Sequence, residues 1–77
     1  MGNRYVPLAS YNNPREGSIH VIMDTKRQTV ELRTVENTGP KINTQASLKL
    51  PLEDFTSLLR RSQMVLESEG VNTFGTN

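Results

Sequence analysis

The chain has 77 residues, with nine Lys and Arg residues against eight Asp and Glu residues, a formal net charge of +1 and no cysteine. The absence of cysteine excludes disulfides and thiolate metal sites, and a nearly neutral charge does not by itself indicate a nucleic-acid-binding protein. Because no apolar run approaches the ~20 residues of a membrane span and no signal-peptide core is present, we expect an intracellular protein without a membrane partner, in the cytoplasm or in the nucleus of a host.

The first segment, residues 1–17, is polar and contains Pro7 and Pro14. Proline has no N–H to donate to a central ladder, so residues 5–11 are compatible with an edge strand. The same composition is also typical of an N-terminal arm that becomes ordered only when it meets a partner. The sequence leaves both states open for this segment.

Residues 18–24 and 29–36 predict the two strands of a β-hairpin, because apolar and polar residues alternate along both. The connection, residues 25–28, is polar and lacks the Asn-Gly pair of the tightest hairpins, which favours a longer turn. The side chains that share the inward face are Ile19, Val21, Met23, Val30 and Leu32.

Residues 50–67 form the only long helical pattern of the chain. Pro51 suits the first helical position, and Gly70 predicts the end of the helix. Glu53 and Asp54 place negative charge at the positive end of the helix dipole. Apolar residues recur at helical spacing along one stripe, with one polar member. This stripe consists of Leu52, Phe55, Leu58, Leu59, Ser62, Val65 and Leu66.

The order of elements predicts an α+β fold, with a three- or four-stranded antiparallel sheet followed by one C-terminal amphipathic helix that covers one face. A third strand, residues 46–50, runs directly into the helix. We expect one domain over residues 18–69 and a flexible tail over residues 70–77. A chain of this size is marginal alone and the stripe is wider than one sheet contact demands, which favours a helix-mediated homodimer over a monomer. The predicted dimer interface comprises Phe55, Leu58, Leu59, Ser62, Val65 and Leu66.

Enzyme chemistry has little support in the sequence. His20 is the only histidine, and no nucleophile or acid near it in the sequence completes a catalytic set. Asp24 lies ~13 Å further along the same predicted strand, which is too far to share a metal ion with His20. Residues 39–41 lack the pattern of a phosphate-binding loop. We therefore predict a protein that is not an enzyme, with no catalytic residue, no metal site and no cofactor.

A binding face is better supported. If the helix covers the inward side chains and Leu48, the other face of the sheet shows His20, Ile22, Arg33, Val35, Ser47 and Lys49. Cations that follow the backbone, together with flat groups under the bases, are how single-stranded nucleic acid is held. Against this, Asp24, Glu31 and Glu36 lie on or beside the same face and cancel charge, so a solvated sheet face is the alternative. Further cations and aromatic rings come from the hairpin tip and the N-terminal segment: Lys26, Arg27, Arg4, Tyr5, Tyr11 and Arg15.

The junction between strand and helix carries a family resemblance. Residues 48–58 resemble the strand-into-helix segment of the positive-cofactor-four-type transcriptional coactivators, with Phe55 where that family has Trp and Leu58 where it has Leu. Residues 19–24, a basic turn and residues 30–33 resemble its curved central hairpin. The resemblance covers roughly residues 18–65.

This resemblance implies a β-β-β-β-α fold, a homodimer joined through its helices, and single-stranded DNA binding across the sheet faces. The family's Lys-Gly before the last strand reads Ala46-Ser47 here, which removes one phosphate contact. Small versions of the fold also resemble phage and viral single-strand binders. The DNA contacts that carry over are Lys26, Arg27, Arg33 and Lys49.

The leading hypothesis is therefore a small dimeric protein that binds single-stranded DNA or RNA in replication or transcription, with a phage or viral origin. Its binding is expected to be sequence-tolerant and strongly salt-dependent, because phosphates release counterions when cations contact them. The alternative is a protein–protein interaction module, such as a viral or phage effector. Such a module would dock on a host or replication protein through the sheet edge or the spare helix surface.

Overall fold

The computed structural model describes residues 4–37, 39 and 43–72. The strands form one antiparallel sheet in chain order, and the helix follows the last strand. This confirms the predicted α+β fold in its four-stranded form, with the N-terminal segment paired as an edge strand. The elements are β1 (Tyr5–Asn13), β2 (Gly17–Asp24), β3 (Thr29–Asn37), β4 (Asn43–Pro51) and α1 (Leu52–Ser68). The predictions for residues 1–3, 38, 40–42 and 73–77 lie outside the described residues.

The register separates the side chains into two faces, because directly opposed residues in antiparallel strands point to the same side. One face, here called the apolar face, includes Val6, Tyr11, Ile19, Val21, Met23, Val30, Leu32, Leu48 and Leu50. The other, here called the open face, includes Tyr5, Ser10, His20, Ile22, Asp24, Thr29, Glu31, Arg33, Val35, Ser47 and Lys49. The hairpin alternation in the sequence therefore corresponds to the two sides of the sheet.

A bulge interrupts β1 between Pro7 and Ala9. The extra residue, Leu8, shifts the alternation of side chains by one position along the strand. Tyr5 and Tyr11 would share a face in a regular strand, because their positions differ by an even number. The bulge instead leaves Tyr5 opposite Asp24 on the open face and Tyr11 opposite Ile19 on the apolar face.

The helix begins and ends close to the predicted residues. Pro51 precedes the helix with φ −59° and ψ 147°, so it occupies the N-cap position rather than the predicted first helical position. At the other end, Gly70 has φ +84° and its N–H donates to Glu67 O at 3.0 Å. The Val71 N–H donates to Leu66 O at 2.9 Å. Together these bonds form a Schellman motif, which satisfies two terminal carbonyls and confirms Gly70 as the stop.

The helix covers only one end of the apolar face. Val30 is the one fully buried residue within the described part of the chain, and the register places it between Met23 and Leu50. The helix contacts chiefly β3 and β4, and only Leu52 and Phe55 among its residues are partly buried. The sequence predicts that the helix also covers Ile19 and Leu48, but these side chains are 44% and 65% exposed.

Candidate nucleic-acid interface

The open face forms rows of side chains that run across the strands. Ile22, Glu31 and Lys49 lie side by side in one row, and His20, Arg33 and Ser47 lie in the next. Rows on one face are two residues apart along each strand, which is about 7 Å. Arg33 and Lys49 therefore share one surface, and Ile22 lies in the same row as Lys49.

The Asp24 carboxylate organises the turn between β2 and β3. Its Oδ1 accepts the backbone N–H groups of Lys26 at 3.1 Å and Arg27 at 3.2 Å, in the manner of an Asx turn. Arg4 donates to both carboxylate oxygens, with Nε–Oδ1 and Nη2–Oδ2 distances of 3.1 Å. The hydrogen bonds from Arg4 are the main reason that the pKa of Asp24 lies below its ordinary value. The turn that carries the two tip cations is thus fixed by one ionised side chain.

Further hydrogen bonds join this turn to the start of β1 and to the start of the helix. The Thr25 N–H and hydroxyl donate to Arg4 O at 2.8 Å and 3.0 Å. Gln28 has φ +55°, and its side-chain amide donates to Thr25 O at 2.7 Å. The Leu52 N–H donates to Gln28 O at 2.8 Å. The start of β1, the hairpin tip and the start of the helix therefore form one connected end of the molecule.

The second ion pair of the open face joins Arg33 to Glu31. The Nη2–Oε1 distance is 3.2 Å and the Nε–Oε2 distance is 3.3 Å. Because the Arg33 side chain is 51% exposed, the pair is a surface pair, and such pairs contribute only about 0–1 kcal/mol. A phosphate is therefore able to replace Glu31 as the partner of Arg33 at little cost.

The other predicted cations on this side are unpaired within the described residues. Lys26, Arg27 and Lys49 have exposed side chains. The two ion pairs found among those residues, Arg4 with Asp24 and Arg33 with Glu31, leave these three without an acidic partner. They are the groups most readily available to an anionic ligand.

A recess of about 100 Å³ lies on the open face next to the hairpin tip. Its floor is half-buried and its rim is exposed. The floor residues are Ile22, Asp24, Thr29 and Glu31, and the rim residues are Tyr5, Arg27 and Lys49. The recess therefore places an aromatic ring and two cations around an apolar and acidic centre.

The structure brings together some of the predicted binding residues and separates others. Arg4, through its ion pair with Asp24, and Tyr5 lie at the hairpin-tip end, with the Arg4 guanidinium 5.0 Å from the Tyr5 ring centroid. Tyr11 lies on the apolar face. Arg15 lies in the turn between β1 and β2, where its N–H donates to Asn13 Oδ1 at 2.9 Å, at the opposite end of β2 from the hairpin tip. The proposed contacts thus concentrate near one end of the open face.

The predicted dimer-interface residues form an exposed surface along the helix. Phe55 is partly buried and Ser62 is exposed. The four remaining members are 45–60% exposed: Leu58, Leu59, Val65 and Leu66. In one copy of the chain this apolar stripe therefore contacts mainly solvent.

The sequence alone indicates Asp24 as a charge that opposes binding, excludes it as a metal ligand beside His20, and assigns no role to Thr29. The signal for the role of Asp24 was present, because Asp at the first position of a short polar connection is typical of a turn closed by its side chain. The recess had no such signal, since it depends on the register that the bulge in β1 sets.

Within the described residues, no group of three or more His, Cys, Asp or Glu side chains is placed to hold a metal ion. In the same part of the chain, no helix has both the length and the apolar character needed to cross a membrane. The chain matches no protein-family model, no curated protein and no solved structure. The case for a function therefore rests on geometry and charge.

Proposed function

We propose that the protein binds single-stranded DNA or RNA across the open face of its sheet. The observation that carries this proposal is the group of exposed cations around the recess, where Arg27 and Lys49 share the rim with Tyr5. In sequence-tolerant binding, cations usually contact the phosphates and an aromatic ring stacks on a base. A setting inside a host cell, in replication or transcription and of phage or viral origin, belongs to the same proposal and is supported only by the family resemblance.

The local charge supports binding even though the net charge is only +1. Four cations per copy lie on the open face or at its tip: Lys26, Arg27, Arg33 and Lys49. Contact with four phosphates of a single strand gives a slope of about −3 when the logarithm of affinity is plotted against the logarithm of salt concentration. Binding of this kind is substantial at low salt and weak at high salt.

We also propose that two copies associate through their apolar surfaces. One copy exposes 6606 Å², whereas a compact chain of 8.7 kDa exposes about 4,700 Å². The excess of about 1,900 Å² exceeds the area that one partner contributes to a standard interface, which is about 800 Å². Four residues of the helix stripe are among the exposed apolar residues of one copy, so a second copy of the helix is their simplest cover: Leu58, Leu59, Val65 and Leu66.

Fluorescence anisotropy with a labelled oligo(dT) of about 16 nucleotides tests the nucleic-acid proposal. The double variant Arg27→Gln/Lys49→Gln is compared with Arg60→Gln/Arg61→Gln, which removes the same charge from the helix. We expect the first variant to bind at least about tenfold more weakly at low salt and the second to bind nearly as the unaltered protein does. Absence of binding by the unaltered protein at low salt would refute the proposal.

The alternative function, docking on a host or replication protein, is favoured by a different observation. Ile19, Leu48 and Tyr11 remain exposed on the apolar face beyond the reach of the helix. An exposed apolar patch of this kind is typical of a protein interface. A protein that is monomeric by light scattering and does not bind oligonucleotides at low salt would favour this alternative.

A further inference from the structure

The recess on the open face has the chemical groups that hold a single nucleotide base. Ile22 provides an apolar floor, and Tyr5 stands at the rim on β1. Lys49 stands at the opposite rim on β4. Because three strand spacings separate these two strands, the rim residues lie roughly 14 Å apart across the sheet. A base is able to enter between them while its phosphates stay with the cations on the rim.

Arg4 and Asp24 position the aromatic wall of the recess. The Arg4 guanidinium lies 5.0 Å from the Tyr5 ring centroid and is held there by its two hydrogen bonds to Asp24. A cation at this distance interacts favourably with the ring. The ring is therefore oriented before any ligand arrives, which lowers the entropy cost of stacking a base on it.

The two carboxylates of the floor only accept hydrogen bonds, while the Thr29 hydroxyl both donates and accepts. Asp24 Oδ1 already accepts three hydrogen bonds and Oδ2 accepts one from Arg4, so only Oδ2 of this carboxylate retains a lone pair. The two Glu31 oxygens each accept one hydrogen bond from Arg33, and each retains a second lone pair. Glu31 is therefore the group of the recess that is best able to accept a hydrogen bond from a ligand.

This chemistry distinguishes the bases. Cytosine, adenine and guanine each carry an exocyclic amino group that donates to a carboxylate. Thymine and uracil instead offer a single N3–H donor flanked by two carbonyl oxygens, which a carboxylate repels. We infer that the recess is a base-binding subsite in which Glu31 determines specificity and selects bases with an exocyclic amino group. The inference rests on the proposed nucleic-acid binding and adds a base preference to it.

Oligonucleotides of dC and dU provide the test, since cytosine and uracil have the same size and differ at the edge that Glu31 contacts. Anisotropy titrations at low salt and neutral pH compare homopolymers of about 16 nucleotides. The unaltered protein is expected to bind oligo(dC) about fivefold more tightly than oligo(dU), the lower end of the discrimination that side-chain contacts to a base edge give. Glu31→Gln is expected to bring the two affinities together, because an amide both donates and accepts.

The matched control is Glu36→Gln, which makes the same charge change on the same strand but on the apolar face. Both variants gain affinity for all oligonucleotides from the lost negative charge, so the ratio of affinities is the deciding readout. Circular dichroism establishes that both variants are folded. Equal binding of oligo(dC) and oligo(dU) by the unaltered protein, or a ratio that Glu31→Gln leaves unchanged, overturns the inference while the proposed function stands. No binding of either oligonucleotide overturns both.

Discussion

The two faces of the sheet are built from the same four strands. They differ in how many of their side-chain contacts one copy of the chain forms by itself. On the open face, both ion pairs are formed within the chain, and Asp24 alone accepts from Arg4, Lys26 and Arg27. On the apolar face, Val30 is fully buried while Leu48 is 65% exposed. A ligand of the open face therefore meets two ion pairs that are already formed beside three cations without an acidic partner among the described residues. A partner on the apolar side instead gains contacts that one copy leaves unmade.

The largest expected effect comes from the helix stripe. Leu59→Glu places a charge in the proposed helix-to-helix contact and removes about 2 kcal/mol of apolar burial from each copy. The sum of about 4 kcal/mol weakens association by roughly a thousandfold. Light scattering should show the mass of a dimer for the unaltered protein and the mass of a monomer for the variant.

Met64→Glu is the control for this experiment, because Met64 lies on the same helix and is 62% exposed but lies outside the stripe. It adds the same charge and should leave the dimer intact. If the unaltered protein already has the mass of a monomer, the apolar side has no second copy as its partner.

A smaller effect is expected from the one buried side chain. Val30→Ala removes two methyl groups from a fully buried position and costs about 2–3 kcal/mol of unfolding free energy, a large part of what a small domain has. Val35→Ala makes the same change on the open face of the same strand, where the side chain is only partly buried, and should cost less. Urea unfolding at fixed protein concentration compares the two variants. Equal losses of unfolding free energy would mean that the helix does not protect the apolar face more than the open face is protected.

These contrasts also indicate which parts of the molecule the sequence is able to predict. The hairpin and the helix are predictable because their signals are local. The alternation along residues 19–24 and the stop at Gly70 each depend on only a few residues. The early start of β4 was missed because Asn43 and Thr44 are polar and pair with β3 through the backbone ladder. The bulge at Leu8 was also missed, and with it the separation of Tyr5 from Tyr11, because no local pattern marks it.

The extent of the helix contact is the remaining difference between prediction and structure. A stripe of apolar residues shows that a helix needs a partner but does not say whether that partner is its own sheet. The sequence therefore predicted cover for Ile19 and Leu48, whereas the structure leaves both exposed. The family resemblance implied an order of four strands and a helix, and the fold has that order.

On the open face, single cations should have modest effects. Lys49→Gln removes one phosphate contact, which should weaken oligo(dT) binding severalfold at low salt and reduce the slope against salt by about 0.7. Anisotropy titrations over a series of salt concentrations measure both quantities. Arg60→Gln on the helix should change neither. A slope that Lys49→Gln leaves unaltered would place the bound strand away from β4.

The smallest expected effect concerns the acid response of the hairpin tip. Hydrogen bonds from Arg4 hold the pKa of Asp24 below its ordinary value of 3.8, so the native state binds a proton less readily than the unfolded chain. The stability that this gives is fully present above the ordinary value and is lost as the pH falls through the lowered one. Urea midpoints measured from about pH 7 to about pH 2 should fall less steeply for Asp24→Asn than for the unaltered protein. Glu36→Gln, on the other face and away from the turn, should retain the fall that Asp24 causes, and identical curves for all three proteins would mean that the turn is held by its backbone alone.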